Sequence, residues 1–170
     1  MKKIIVLLLV SFFCGGIINL YAQDPVRLFI LGISRNPNIV CYDVMLDKDG
    51  QINKQYPIDA YWISLVEKNK KREELNDFDK KTYGFKTTYN EKDNTFDLTL
   101  KIIEDKKMTI LTVDGKPKVK MLINNVEAYL EKVYIQLKDN WAGKPSVSFY
   151  TLHGLTANDN EPVEEKIIVK

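Results

Sequence analysis

The chain is poor in the residues around which most active centres are built. Its 170 residues hold one histidine, His153, and two cysteines, Cys14 and Cys41, whereas a structural zinc site draws about four Cys or His ligands. A zinc centre is therefore not expected, and no other metal or cofactor is implied. The GxSxG elbow of serine hydrolases, the P-loop and the dinucleotide fingerprint are all missing. No Pro/Ser/Gly-rich linker divides the sequence, so one domain is the economical reading.

Long apolar runs are also scarce, with one exception at the start. MKKIIVLLLVSFFCGGIINLYAQ carries two lysines, an apolar run from Ile4 to Phe13, and Leu20, Tyr21 and Ala22 where a signal peptidase acts. A permanent anchor needs roughly 20 consecutive apolar residues, and Gly15, Gly16 and Asn19 break this run early. Residues 1–22 are expected to be a cleaved signal peptide, and residues 23–170 a single β-rich domain exported to the periplasm or secreted. Phe12 and Phe13 stand where a lipoprotein signal wants small residues, so Cys14 is not expected to be lipidated.

Net charge is the next absence. The chain has 25 Lys plus Arg and 23 Asp plus Glu; Lys2 and Lys3 depart with the leader and no acid does, which leaves 23 of each sign. A balanced chain has no bulk attraction for nucleic acid or an anionic membrane, and no stable membrane insertion is expected after cleavage. KNKKR (Lys68 to Arg72) and EDKKM (Glu104 to Met108) read as solvated turns or helix starts. With Cys14 removed, Cys41 stands alone and cannot form an intramolecular disulfide, so packing must hold the domain together.

What is abundant is alternation. In NIVCYDVML, Val40, Tyr42, Val44 and Leu46 fall on one face and Ile39, Cys41, Asp43 and Met45 on the other. PIDAYWISLV, opened by Pro57, behaves alike, and Asp49 and Gly50 between the two runs cue an antiparallel hairpin. RLFILGI, TFDLTLKIIE, KMTILTV, KVKMLIN, AYLEKVYIQLK, SVSFYTLHG and EEKIIVK are further strands, separated by turn material such as NEKDN, DGKPK and TANDNEP. The fold class is mainly β: a single-domain antiparallel β-barrel or flattened sandwich of about eight or nine strands. In KKREELNDFDKKTYGF, Leu75, Phe78 and Thr82 recur at helical spacing, with acids early, lysines late and Gly84 at the end, which predicts one short helix over about 71–82.

SRNPNIVCYD concentrates polar groups at a strand entrance. Asn side chains mimic backbone turns and Pro37 fixes a backbone angle, so the segment makes a good corner, with Arg35 pairing an acid such as Asp43 or Asp59. Alternatively, a guanidinium and two amides converge on a ligand carboxylate, phosphate or sugar. SRNPNIVCYD, then PIDAYW, then a helix ending in TYGF resembles a family of exported bacterial proteins known as a domain of unknown function. That resemblance implies that Arg35, Asn36, Asn38, Tyr42, Asp43, Pro57, Tyr61, Trp62, Tyr83 and Gly84 form one structural or ligand-facing cluster, with no activity to transfer.

Other site readings are weaker. DKDGQIN echoes a calcium loop, but the register puts Met45 and Tyr56 where acids are required. Cys41 lies mid-strand, the usual place of a small buried hydrophobe and not of a nucleophile paired with His153. Tyr61 and Trp62 point to opposite faces of their strand, and a rigid aromatic wall suits a sugar ring or an apolar molecule with an anionic head. The expected role is a non-catalytic module for an unknown small molecule, with Arg35, Asn36, Asn38, Tyr42, Asp43, Tyr61, Trp62 and Tyr83 as its site. Protein interaction or a structural role in the envelope is the alternative. A hydrolase, which needs a carboxylate pair such as Asp43 with Asp59, comes third.

Overall fold

The computed structural model describes residues 26–66, 70–139 and 145–169. The expected leader, part of KNKKR and most of the DNWAGKP turn lie outside them. The elements are β1 (Val26–Ile33), β2 (Asn36–Val44), β3 (Ile58–Ile63), β4 (Arg72–Glu74), α1 (Asp77–Thr82), β5 (Phe85–Asn90), β6 (Thr95–Leu100), a 3-10 turn (Lys101–Ile103), β7 (Met108–Val113), β8 (Lys116–Ile123), β9 (Val126–Asp139), β10 (Pro145–Thr156) and β11 (Pro162–Ile168). The protein is mainly β, its strands joined in one sheet along the path β4-β3-β2-β1-β9-β8-β7-β6-β5, curled into a half-barrel, with β10 and β11 branching from β9. Every pairing is antiparallel except β1 with β9.

β9 is the spine. Along one edge it pairs β10 from Ala128 to Asp139. Its other edge is divided: Val126 to Tyr129 pair β8, and Lys132 to Ile135 pair β1. Between these stretches the β9–β10 register shifts, with Leu130 opposite Gly154 and Lys132 opposite His153, so Glu131 is an extra residue. A bulge of this kind bends the strand and increases its twist. The limb β1 to β4 and the limb β8 to β5 therefore fork apart at Glu131 and curl towards each other.

The two limbs share one core. Val40, Tyr42 and Val44 of β2, Phe96, Leu98 and Leu100 of β6, Val119, Met121 and Ile123 of β8, and Ala128, Leu130, Val133 and Ile135 of β9 are buried in a single cluster. Burial of alternate residues on every limb is what the period-two pattern demands. AYLEKVYIQLK, despite several helix-favouring residues, is strand within β9, because Leu130, Val133 and Ile135 reach this core only as strand.

The helix is present but shorter than its spacing suggested. Asn76 caps it, accepting from the backbone N–H groups of Phe78 and Asp79, while Asp79 accepts from the backbone N–H of Asn76. That capping box fixes the start. Upstream, Arg72 to Glu74 is extended and pairs Ile63 to Tyr61 as β4, and Leu75 is buried before the helix begins. The Asp49 and Gly50 cue also sits in a longer connection than a tight hairpin. β2 and β3 do pair antiparallel, but a Leu46 to Ile52 bridge closes a small loop inside the connection. There the Asp47 carboxylate accepts the N–H groups of Asp49 (2.9 Å) and Gln51 (3.0 Å).

Candidate functional site

β2 is buried on both faces, and this divides the expected site. On the inner face Tyr42 stacks on Phe29 with centroids 4.4 Å apart, and meets the ring of Phe85 edge-on. Its hydroxyl donates to the Tyr83 carbonyl at 2.7 Å, and burial pushes the phenol well above its usual range. Trp62 lies edge-on to Tyr83 at 5.3 Å and donates from its indole N–H to Asp79 at 3.1 Å. Tyr42, Trp62 and Tyr83 thus form one seam that holds α1 and its exit against the sheet.

Asp43, Tyr61 and Asp59 face outwards. Asp43 is only 1% exposed, and the Arg27 Nε donates to its carboxylate. Tyr61 donates to the other carboxylate oxygen at 2.5 Å, and the Arg27 Nη2 reaches the Tyr61 oxygen at 3.2 Å. The Arg72 guanidinium covers the Tyr61 ring at 3.9 Å and binds Asp59 (2.7 Å) and Glu74 (2.8 Å). Burial disfavours the Arg27 charge, but the hydrogen bond to Asp43, together with the nearby Cys41, Asp43 and Tyr61 groups, more than restores it. Burial, and then Asp43, push the Tyr61 phenol up. Asp43 and Asp59 do face each other across β2 and β3. Each is held by its own arginine, so they serve as counter-ions, not as a free acid and base.

The remaining three residues lie at the β1–β2 corner. Arg35 adopts φ 65° and pairs with Asp139 at 3.0 Å, both side chains being more than half exposed. The expected partners Asp43 and Asp59 belong to Arg27 and Arg72. Asn36 accepts the Asn38 backbone N–H at 2.9 Å, a turn-forming bond. The Asn38 side-chain oxygen is buried without a partner among the described residues. Ser34 fastens the corner to β9, donating its N–H to the Ile135 carbonyl and accepting the Leu137 N–H, both at 2.8 Å. An exposed pair contributes about 0–1 kcal/mol, whereas a left-handed backbone costs a non-glycine residue about 1–2 kcal/mol. Arg35→Gly is therefore expected to melt within about 2 °C of the parent or above it; calorimetry showing a larger drop would contradict this account of the corner.

Cys41 is buried and free, and burial raises its thiol. Cys41 pairs Ile30, Ile30 pairs Lys132, and Lys132 pairs His153. Three strand spacings, roughly 14 Å, separate the two residues, so they make no nucleophile and base pair.

Clefts of about 360 and 280 Å³ lie on β6 with β7 and beside Asp105 and Glu165, and three more lie along the rim where the limbs part. A notch of about 230 Å³ sits in the fork, lined by Val26, Arg27, Lys116, Lys118, Tyr129 and Glu131 among others. A cleft of about 420 Å³ adjoins it, sharing Val26, Lys116 and Pro117 and adding Leu46, Ile52 and Thr112. A third, of about 280 Å³, shares Gln51, Ile52 and Thr112 with the second and ends at Asn94. Each shares lining residues with the next, so the three lie in series and are taken together as the rim groove. Arg27 joins the groove to the Asp43–Tyr61 network; Arg35, Asn36 and Asn38 line none of these clefts.

Arg27, Arg72, Lys116 and Lys118 escaped sequence reasoning. For Arg27 a signal existed: antiparallel pairing of β1 with β2 sets it opposite Asp43. The lysines gave none, because they look like ordinary strand-face charges until the fork forms.

Fold and site define a mainly β half-barrel with an ion-paired outer ladder and a rim groove. Residues 29–166 match the family model described as a domain of unknown function, DUF4833, and the chain belongs to that family. Comparison with curated proteins and with solved structures gives no match.

Proposed function

We propose that this is an exported, non-catalytic module that binds a small molecule in the rim groove. The observation that carries the reading is the groove itself: two adjoining clefts of about 230 and 420 Å³ share Val26, Lys116 and Pro117. Their mixture of apolar walls and a few convergent charges is typical of ligand sites, which run to roughly 300–1,000 Å³. Nearby carboxylates are held by arginines, which favours binding over acid–base chemistry.

Thr112 is exposed and lines the groove, so Thr112→Trp fills the space with a residue strands accept. Protein purified from its own host is expected to carry a small stoichiometric adduct in native mass spectra, lost on denaturation and lost in Thr112→Trp. Terminal sequencing of the same sample is expected to begin at Gln23. An adduct that persists in Thr112→Trp would place the ligand elsewhere, and a chain beginning at Met1 would contradict export with cleavage.

A further inference from the structure

Resting on that binding reading, we propose that the ligand is a monoanionic amphiphile, a carboxylate on an apolar chain, with its head beside Lys116 and Lys118. The head end is the fork notch, whose lining carries three cations, Arg27, Lys116 and Lys118, and one acid, Glu131. Arg27 is already balanced: its Nε and Nη2 are committed to Asp43 and Tyr61. The rest of the lining then holds two lysines and one glutamate, an excess of one positive charge. Lys118 lies over the Tyr129 ring at 4.2 Å, and neither lysine has an ion-pair partner among the described residues.

A single negative charge restores neutrality there. A phosphate is better served by an open guanidinium fork, and the fork of Arg27 is spent on Asp43 and Tyr61. The tail end is the adjoining cleft, which adds Leu46 and Ile52 to Val26 and Pro117 and contains no acid. Lys116 lines both clefts, a position from which a lysine can lay its aliphatic stem along apolar surface and present its ammonium to the head. Charge at one end and apolar wall at the other select a molecule with the same polarity.

Titration calorimetry of protein purified from its own host and stripped of bound small molecules tests this with decanoate, decyltrimethylammonium and propionate. Decanoate is expected to bind, with the cationic amphiphile and the tail-less acid each about ten-fold weaker. Lys116→Met with Lys118→Met is expected to weaken decanoate by about ten-fold with the melting temperature unchanged. Equal binding of the cationic amphiphile overturns the anionic head, and equal binding of propionate overturns the tail. If all three probes fail to bind while Thr112→Trp still removes the natural adduct, the ligand class falls and the binding module stands. Absence of both probe binding and natural adduct overturns both.

Discussion

Asp43→Asn is expected to lower stability by about 3 kcal/mol, a fall of roughly 10 °C in melting temperature. The substitution keeps the shape of the side chain and removes only its charge. Arg27 then has no anion at a position where its Nε and Nη2 are directed inwards, and Tyr61 loses its charged acceptor. Arg27 is 36% exposed at the side chain and can turn partly to water, which holds the loss near the lower end of the range for broken buried pairs. Combining Arg27→Met with Asp43→Leu should recover most of the loss, because neither charge is then left alone. Chemical denaturation of the single and double variants checks both statements. A single variant within about 0.5 kcal/mol of the parent would show that the pair contributes nothing.

Gly154→Ala is expected to cost about 3 kcal/mol or to prevent folding, as overpacking against backbone does. An alanine Cβ at this position would lie 2.4 Å from the Tyr129 carbonyl oxygen and 2.8 Å from the Ile123 side chain. The carbonyl belongs to the spine strand just before the Glu131 bulge, so relief requires β9 and β10 to separate at the fork. Ile123→Val in the same chain should restore little, since the closer obstacle is backbone. Thermal melts of the two variants test this; an unchanged melting temperature for Gly154→Ala would mean that the fork is looser than its geometry implies.

The strands were legible wherever alternation met β-favouring side chains, as in β2 with Val40, Tyr42 and Val44. Two escaped. β4 is three residues long, and β5, FKTTYN, buries no residue fully, so neither offers a strong apolar alternation. β1 shows another limit: its register shifts between Arg27 and Phe29, so Leu28 is extra and the face resets. Strict alternation would put Arg27 and Phe29 together, whereas Arg27 meets Asp43 outside and Phe29 stacks on Tyr42 inside.

The site was legible only as residue types. Arg35 asked for an acid, but its partner Asp139 lies 104 residues away, at the end of a strand whose branching the sequence does not announce. Asp43 and Tyr61 read as members of one cluster and are bonded to each other, but the alternation that set them on the outer face could not say that Arg27 and Arg72 would cover them. Three-dimensional curling places Val26, Leu46 and Lys116 around one cleft, and no local pattern encodes that.

On the proposed binding function, the rim groove and not the corner at residues 34–38 receives the ligand. The most direct measurement is amide chemical-shift mapping of the labelled protein on addition of a small-molecule extract of its own host. Shifts clustered at Val26, Gln51, Gly115, Lys116 and Lys118 are the predicted result. Shifts clustered at Arg35, Asn36 and Asn38, with the groove amides unmoved, would contradict it.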